Sequence, residues 1–244
     1  MKKLTLVVMA MVLALGLSGI AMANGDGAGI SGSAHDFSDG IKGGSGGAAI
    51  DESWNNRGEI CRVCHVPHDH SKATQAYTNG LLWNHDVSVT SFTMYDNAWS
   101  ETITGTQSAS PDGTSKLCLG CHDGTVGIDQ FDGRTGAGTV NVTAYDPGYK
   151  VPGFAGDLRG THPLSIEFPA GETGDGKNFA DPNVATWNDG STVASTLDNG
   201  KVQCSTCHDV HDQETVPGTR LLRSPQTVAE GGLPSQLCLT CHIK

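Results

Sequence analysis

No cysteine in this 244-residue chain stands outside a Cys-x-x-Cys-His motif. The eight cysteines form four copies: Cys61-Arg-Val-Cys64-His65, Cys118-Leu-Gly-Cys121-His122, Cys204-Ser-Thr-Cys207-His208 and Cys238-Leu-Thr-Cys241-His242. None remains for a structural disulfide or a thiol nucleophile. Methionine is nearly as scarce. Met1, Met9, Met11 and Met22 all precede Asn24, which leaves Met94 alone beyond it. Basic residues number 15 against 26 acidic ones. Residues 1–23 hold two of the basic residues and none of the acidic ones, so the rest of the chain carries 13 minus 26, or −13. Such a charge disfavours nucleic acid and anionic membranes as partners. A basic redox partner, a metal cation or a mineral surface suits it better. Long apolar runs are missing beyond Ile20. No later stretch approaches the roughly 20 apolar residues of a membrane span, so no transmembrane segment is expected.

The start of the chain reads as a secretory signal. Lys2 and Lys3 precede an apolar run from Leu4 to about Ile20, and Ala21-Met22-Ala23 supplies a small-x-small cleavage site. Residues 1–23 are therefore expected to be removed, and mature protein to begin near Asn24. This places the protein outside the cytoplasm, at the cell exterior or in the periplasm.

The remaining residues are rich in Gly, Asp, Asn, Ser and Thr. They are expected to give a mostly irregular fold with short helices and few short strands. Residues 24–50 read as a flexible arm, with Gly43-Gly-Ser-Gly-Gly47 inside it. Ser33-Ala-His35-Asp-Phe37 is the exception within that arm. Helical turns are expected at each motif. Leu164-Ser-Ile-Glu-Phe168 has the alternation of a short strand.

An internal repeat is visible. Cys61-x-x-Cys-His-Val-Pro-His68 is answered by Cys204-x-x-Cys-His-Asp-Val-His211. Ser115-Lys-Leu-Cys-Leu-Gly-Cys-His122 matches Ser235-Gln-Leu-Cys-Leu-Thr-Cys-His242 at all but two positions. One motif pair thus opens at Cys61 and Cys118, and the other, more closely spaced, at Cys204 and Cys238. Between them the stretch from Asp123 to Gln203 has no cysteine. We read residues 24–244 as a single domain of two motif pairs, 24–140 and 160–244, with a loop-rich insertion between them.

The spacing Cys-x-x-Cys-His is that of c-type haem attachment. Two thiols bond the vinyl groups of one porphyrin, and the adjacent histidine reaches its iron. Four covalent haem c groups are expected, held by Cys61, Cys64, Cys118, Cys121, Cys204, Cys207, Cys238 and Cys241. The proximal iron ligands are His65, His122, His208 and His242. A lone Cys-x-x-Cys would fit a disulfide or half a zinc site. Four copies, each with its histidine, do not.

The sixth ligands follow by counting. Six other histidines remain for four irons, and Met94 can serve at most one. Bis-histidine ligation throughout is the economical arrangement, and without methionine the haems should be comparatively low in potential. The distal candidates are His35, His68, His85, His162 and His211, with His70 as the spare. His68 and His211 each follow a proximal histidine by three positions. They cannot reach the far face of their own porphyrin, so His68 is assigned to the Cys118 haem and His211 to the Cys238 haem. His35, on its Gly-rich arm, is the histidine expected to cross to a neighbouring subunit, with His85 as the alternative.

Several segments resemble the OmcE-type tetrahaem extracellular cytochromes, the subunits of microbial nanowires. They are Ser33-Ala-His35-Asp-Phe37, Cys61-Arg-Val-Cys-His-Val-Pro-His68, Leu82-Trp-Asn-His85, Cys118-Leu-Gly-Cys-His-Asp-Gly-Thr125, His162-Pro163, Cys204-Ser-Thr-Cys-His-Asp-Val-His211 and Leu237-Cys-Leu-Thr-Cys-His-Ile-Lys244. The resemblance implies haems stacked in a continuous chain, with one histidine ligating a haem of the adjacent subunit. It also implies a homopolymeric filament that passes electrons to other cytochromes or to extracellular metal and mineral acceptors. Two other readings stand beside that one: a soluble periplasmic electron shuttle, and a reductase with an open haem. The surplus of histidines leaves little need for the open iron of a reductase, so an electron-transfer protein rather than an enzyme is expected.

Overall fold

The computed structural model describes residues 29–31, 33, 35–38, 52–55, 57–66, 82–133, 156–211, 216, 219 and 221–243. Residues 1–23, expected to be a signal segment, and the stretch that holds His68 and His70 lie outside them. The described residues are mostly coil. They contain four helices: α1 (Gly113–His122), α2 (Val193–Thr196), α3 (Cys204–Cys207) and α4 (Gln236–Leu239). Three single turns of tighter helix accompany them, at Glu52–Asn55, Ala170–Glu172 and Val228–Glu230. The sheet is two short antiparallel strands, β1 (Ile166–Glu167) and β2 (Lys201–Val202). No described helix is long and apolar enough to cross a membrane.

Helical turns fall where the motifs are. α1, α3 and α4 contain cysteines of the second, third and fourth motifs. The first motif is a run of turns in which the His65 N–H donates to the Cys61 carbonyl at 2.7 Å. The same four-residue bond joins His208 to Cys204 at 3.1 Å and His242 to Cys238 at 2.9 Å. Each motif thus puts its first cysteine and its histidine on one helical turn, because side chains three and four residues apart share a helix face.

The expected strand within 164–168 is present, but only at Ile166–Glu167. Its partner arrives through a tight turn at Asp198-Asn-Gly-Lys201. Asn199 (φ 53°) and Gly200 (φ 74°) both take the left-handed conformation. That is the hairpin geometry which an Asn-Gly pair favours. Ile166 then sits opposite Val202, and Glu167 opposite Lys201.

Three small apolar clusters replace a single core. Phe37, Trp54, Val63, Ile128 and Phe131 form the first, with Cys64 and Cys121 packed on it. Leu119, Leu158 and Leu164 form the second, with Phe92, Met94 and Cys204 against it. The third is built on Phe168, Trp187 and Val193, and Cys207 and Cys241 rest on it. The first and third clusters each take cysteines from two successive motifs. Gly120 explains one close approach. A Cβ there would lie 2.6 Å from the Asp86 carbonyl oxygen, so the glycine inside the second motif lets the chain at 85–87 lie against α1.

Candidate functional site

The four motifs follow one another in space as they do in sequence. The first and second meet around Cys64 and Cys121 in the shared aromatic cluster. The second and third meet where the Cys118 thiol hydrogen-bonds to Cys204, a contact that pulls the Cys204 thiol down and Cys118 up. The third and fourth meet around Cys207 and Cys241. Burial, with the Cys61 charge adding to it, pushes the Cys64 thiol up to about 12. Burial likewise raises Cys207 to about 11 and Cys241 to about 12, with neighbouring cysteines adding to it. The two cysteines that open the first and fourth motifs, Cys61 and Cys238, are exposed. All eight thiols are free of disulfides.

Three histidine pairs stand at nearly one spacing. His35 and His122 have ring centroids 6.0 Å apart with planes at 50°. His65 and His211 are 6.3 Å apart at 22°, and His162 and His242 are 6.3 Å apart at 66°. Each pair joins one motif histidine to one histidine outside the motifs. A metal between two imidazoles, with a bond of roughly 2 Å to each, would set the two centroids roughly 6 to 6.5 Å apart. The three pairs therefore fit a bis-imidazole metal centre, and the adjacent thiols would supply the two anchors of a macrocycle.

Local bonds prepare these rings. Pro163 fixes His162: the ring Nδ1 lies 2.8 Å from the Pro163 carbonyl oxygen, which directs Nε2 outward. A second partner of this kind fixes the tautomer of a metal-binding histidine. Burial, reinforced by the charges of His122, His208 and His211, lowers His35 to about 4. His35 is thus neutral at ordinary pH, the form in which imidazole binds a metal. Its buried Nδ1 has no hydrogen-bond partner.

Several expectations change. His211 faces His65 of the first motif rather than His242 of the fourth. The repeated spacing after Cys61 and Cys204 suggested parallel roles, but the chain folds back so that the 208–211 segment reaches the first motif. His35 lies against His122 of its own chain. His85 joins none of the three pairs. It is 1% exposed, with Nδ1 2.7 Å from the Asp86 carbonyl oxygen and Nε2 3.0 Å from that of Gly127. Its Nε2 also lies 3.5 Å from the Cys121 sulfur. His208 belongs to none of the three pairs, and His68, which the sequence offers as a further distal ligand, lies outside the described residues.

Polar residues tie the first motif to the segments on either side of the second. Asn84 is fully buried. Its amide donates to the Arg62 carbonyl at 2.5 Å and to the Asp132 carboxylate at 2.8 Å. Asp132 also takes the Arg62 guanidinium at 2.7 Å. Nothing in the composition around Asn84 marks it; only its partners across the fold do. Among the described residues, no group of three or more His, Cys, Asp or Glu side chains is arranged to hold a metal ion by itself. No protein-family model matches the chain, and no curated protein matches it either.

Proposed function

We propose that the chain is a four-haem c-type cytochrome that conducts electrons along a row of bis-histidine haems, and is not an enzyme. The observation that carries this reading is the set of three pairs at 6.0–6.3 Å, each combining a motif histidine with one from elsewhere. When bound, haem supplies a reversible one-electron couple at its iron. The protein's own residues do the rest. Each cysteine pair would anchor one macrocycle to a helical turn. The paired imidazoles would hold the iron, exclude small ligands and keep the centre low-spin. Little ligand motion would then accompany electron transfer. The cysteines of successive motifs lie against one another, which supports a continuous path from the exposed Cys61 end to the exposed Cys238 end.

We further propose that the mature protein is secreted and acts as the repeating subunit of an extracellular filament. Exposed motifs at both ends of the series favour end-to-end transfer between copies. One observation favours the soluble periplasmic shuttle instead: His35 is engaged by His122 of its own chain, so that ligand set closes without a neighbour. Negative-stain imaging of the secreted protein separates the two forms.

The electron count tests the function itself. Reductive titration of the purified mature protein should take up four electrons per chain, with low-spin spectra throughout. Binding of carbon monoxide to the reduced protein at one or more centres would reveal an open iron and favour a reductase.

A further inference from the structure

The second and third motifs are separated by the long cysteine-free stretch 123–203, yet they touch in space. Each of the three junctions has an apolar cluster beside it. This one also has a polar bridge between the starts of two helices. Asp112 is the residue before α1, and Gln203 is the residue before α3.

The Asp112 carboxylate accepts from three side chains. They are Ser108 Oγ at 2.8 Å, Lys201 Nζ at 2.6 Å and Gln203 Nε2 at 2.7 Å. Gln203 is 3% exposed, and its carbonyl oxygen takes the hydroxyl of fully buried Ser165 at 3.0 Å. That hydroxyl in turn accepts the Asp112 N–H at 3.0 Å, which closes the ring of bonds. Two contacts extend the bridge towards the cysteines. Asp198, at the tip of the β2 turn, accepts the Thr114 N–H at 2.9 Å. Ser115 Oγ accepts the Cys204 N–H at 3.0 Å. Gly113 permits the first of these, since a Cβ there would lie 2.5 Å from the Asp198 carboxylate.

We infer that Asp112, Lys201 and Gln203 form a clamp that sets the approach of the second and third cofactor sites, and with it the electronic contact between them. This rests on the reading that both motifs carry haem. The Lys201–Asp112 ion pair is partly exposed, and such pairs add little stability. Its consequence is geometric. Lys201 lies in β2, just before Gln203 and Cys204. Asp112 lies just ahead of Cys118, at the start of a rigid helix. Joining them fixes the register of α3 against α1, and so the separation of the Cys118 and Cys204 sulfurs. Electron tunnelling and excitonic coupling both fall steeply with separation, so a small slip here changes both. These three are positioning residues, remote from iron in role.

The experiment uses the haem-loaded mature protein and three variants: Lys201→Met, Asp112→Asn and Lys201→Arg. Intact mass and absorption spectra report haem number and spin state. Soret circular dichroism reports coupling between neighbouring haems as a two-signed couplet. We expect four low-spin haems in every variant. The couplet should shrink in Lys201→Met and Asp112→Asn and recover in Lys201→Arg. An unchanged couplet in Lys201→Met with four haems would overturn the clamp. If Asp112→Asn fails to accumulate, Lys201→Met decides alone, because its side chain is at the edge of the ring and its stem is kept. Wild-type protein with fewer than four haems would overturn the underlying cytochrome reading instead, and the clamp with it.

Discussion

Replacement of His211 by alanine should remove one iron ligand while disturbing few contacts within the polypeptide. The side chain is 69% exposed. Its backbone N–H donates to Asp209 at 2.9 Å, a bond the substitution leaves in place. Apart from the iron bond, a surface change of this kind usually stays within about 0.5 kcal/mol. The electronic effect is larger. His211 stands opposite His65 at 6.3 Å, so the first motif should lose its sixth ligand and one haem in four should turn high-spin. The pair is also distinguishable by orientation. Its planes meet at 22°, whereas those of His35–His122 and His162–His242 meet at 50° and 66°. Nearly parallel axial imidazoles give a rhombic low-spin paramagnetic resonance signal, and strongly twisted ones give a more anisotropic signal. The oxidised variant should therefore lose a rhombic component and gain a high-spin one. Added imidazole should reverse both changes. A variant that keeps its rhombic signal and loses an anisotropic one would place His211 on the fourth motif and refute the pairing. A variant with no high-spin component would refute ligation by His211 altogether.

The clamp should respond to acid. Burial pushes the Asp112 carboxyl up, but hydrogen bonds from Lys201, Gln203 and Ser108, together with the Lys201 charge, outweigh it and hold the group below its usual 3.8. A depressed carboxyl stabilises fully above its unfolded value. The contribution should be complete above pH 3.8 and fade as pH falls through the lower folded value, which a Soret couplet followed through an acid titration will detect. Asn84→Leu should lower stability by about 1–3 kcal/mol, the cost of leaving buried polar partners unpaired. Thermal unfolding measures it, and a neutral result would contradict the bridging role. Leu119→Ala, at a side chain with no exposed surface between two motif cysteines, should cost about 2–5 kcal/mol in thermal unfolding with haem number unchanged.

The sequence made the proposed haem-attachment motifs most legible, because their spacing is local and four copies repeat it. The irregular fold was legible too, from abundant Gly, Asp, Asn, Ser and Thr. Leu164–Phe168 showed its strand by alternation, although only two residues of it pair. Ligand pairing was less accessible. Sequence spacing keeps a histidine three positions on away from its own porphyrin, but it does not say which other site the chain folds back to meet. His211 illustrates the point: local repetition suggested the fourth motif, while long-range folding brings it to the first. His35 appeared free because its arm is Gly-rich, yet Phe37 beside it packs on Trp54 in the first cluster. The residues that join motifs, Asn84, Asp112 and Lys201, carry no local signature, since their roles exist only between segments far apart in the chain.

Every reading above depends on four covalent haems being carried by one chain. Intact mass spectrometry of the mature secreted protein, combined with a pyridine haemochrome assay, tests this most directly. The expected result is a mass increment of four haem groups, all eight cysteines blocked to alkylation, and four equivalents of c-type haemochrome per chain. Alkylatable cysteines, paired disulfides, or fewer than four haemochromes per chain would contradict it.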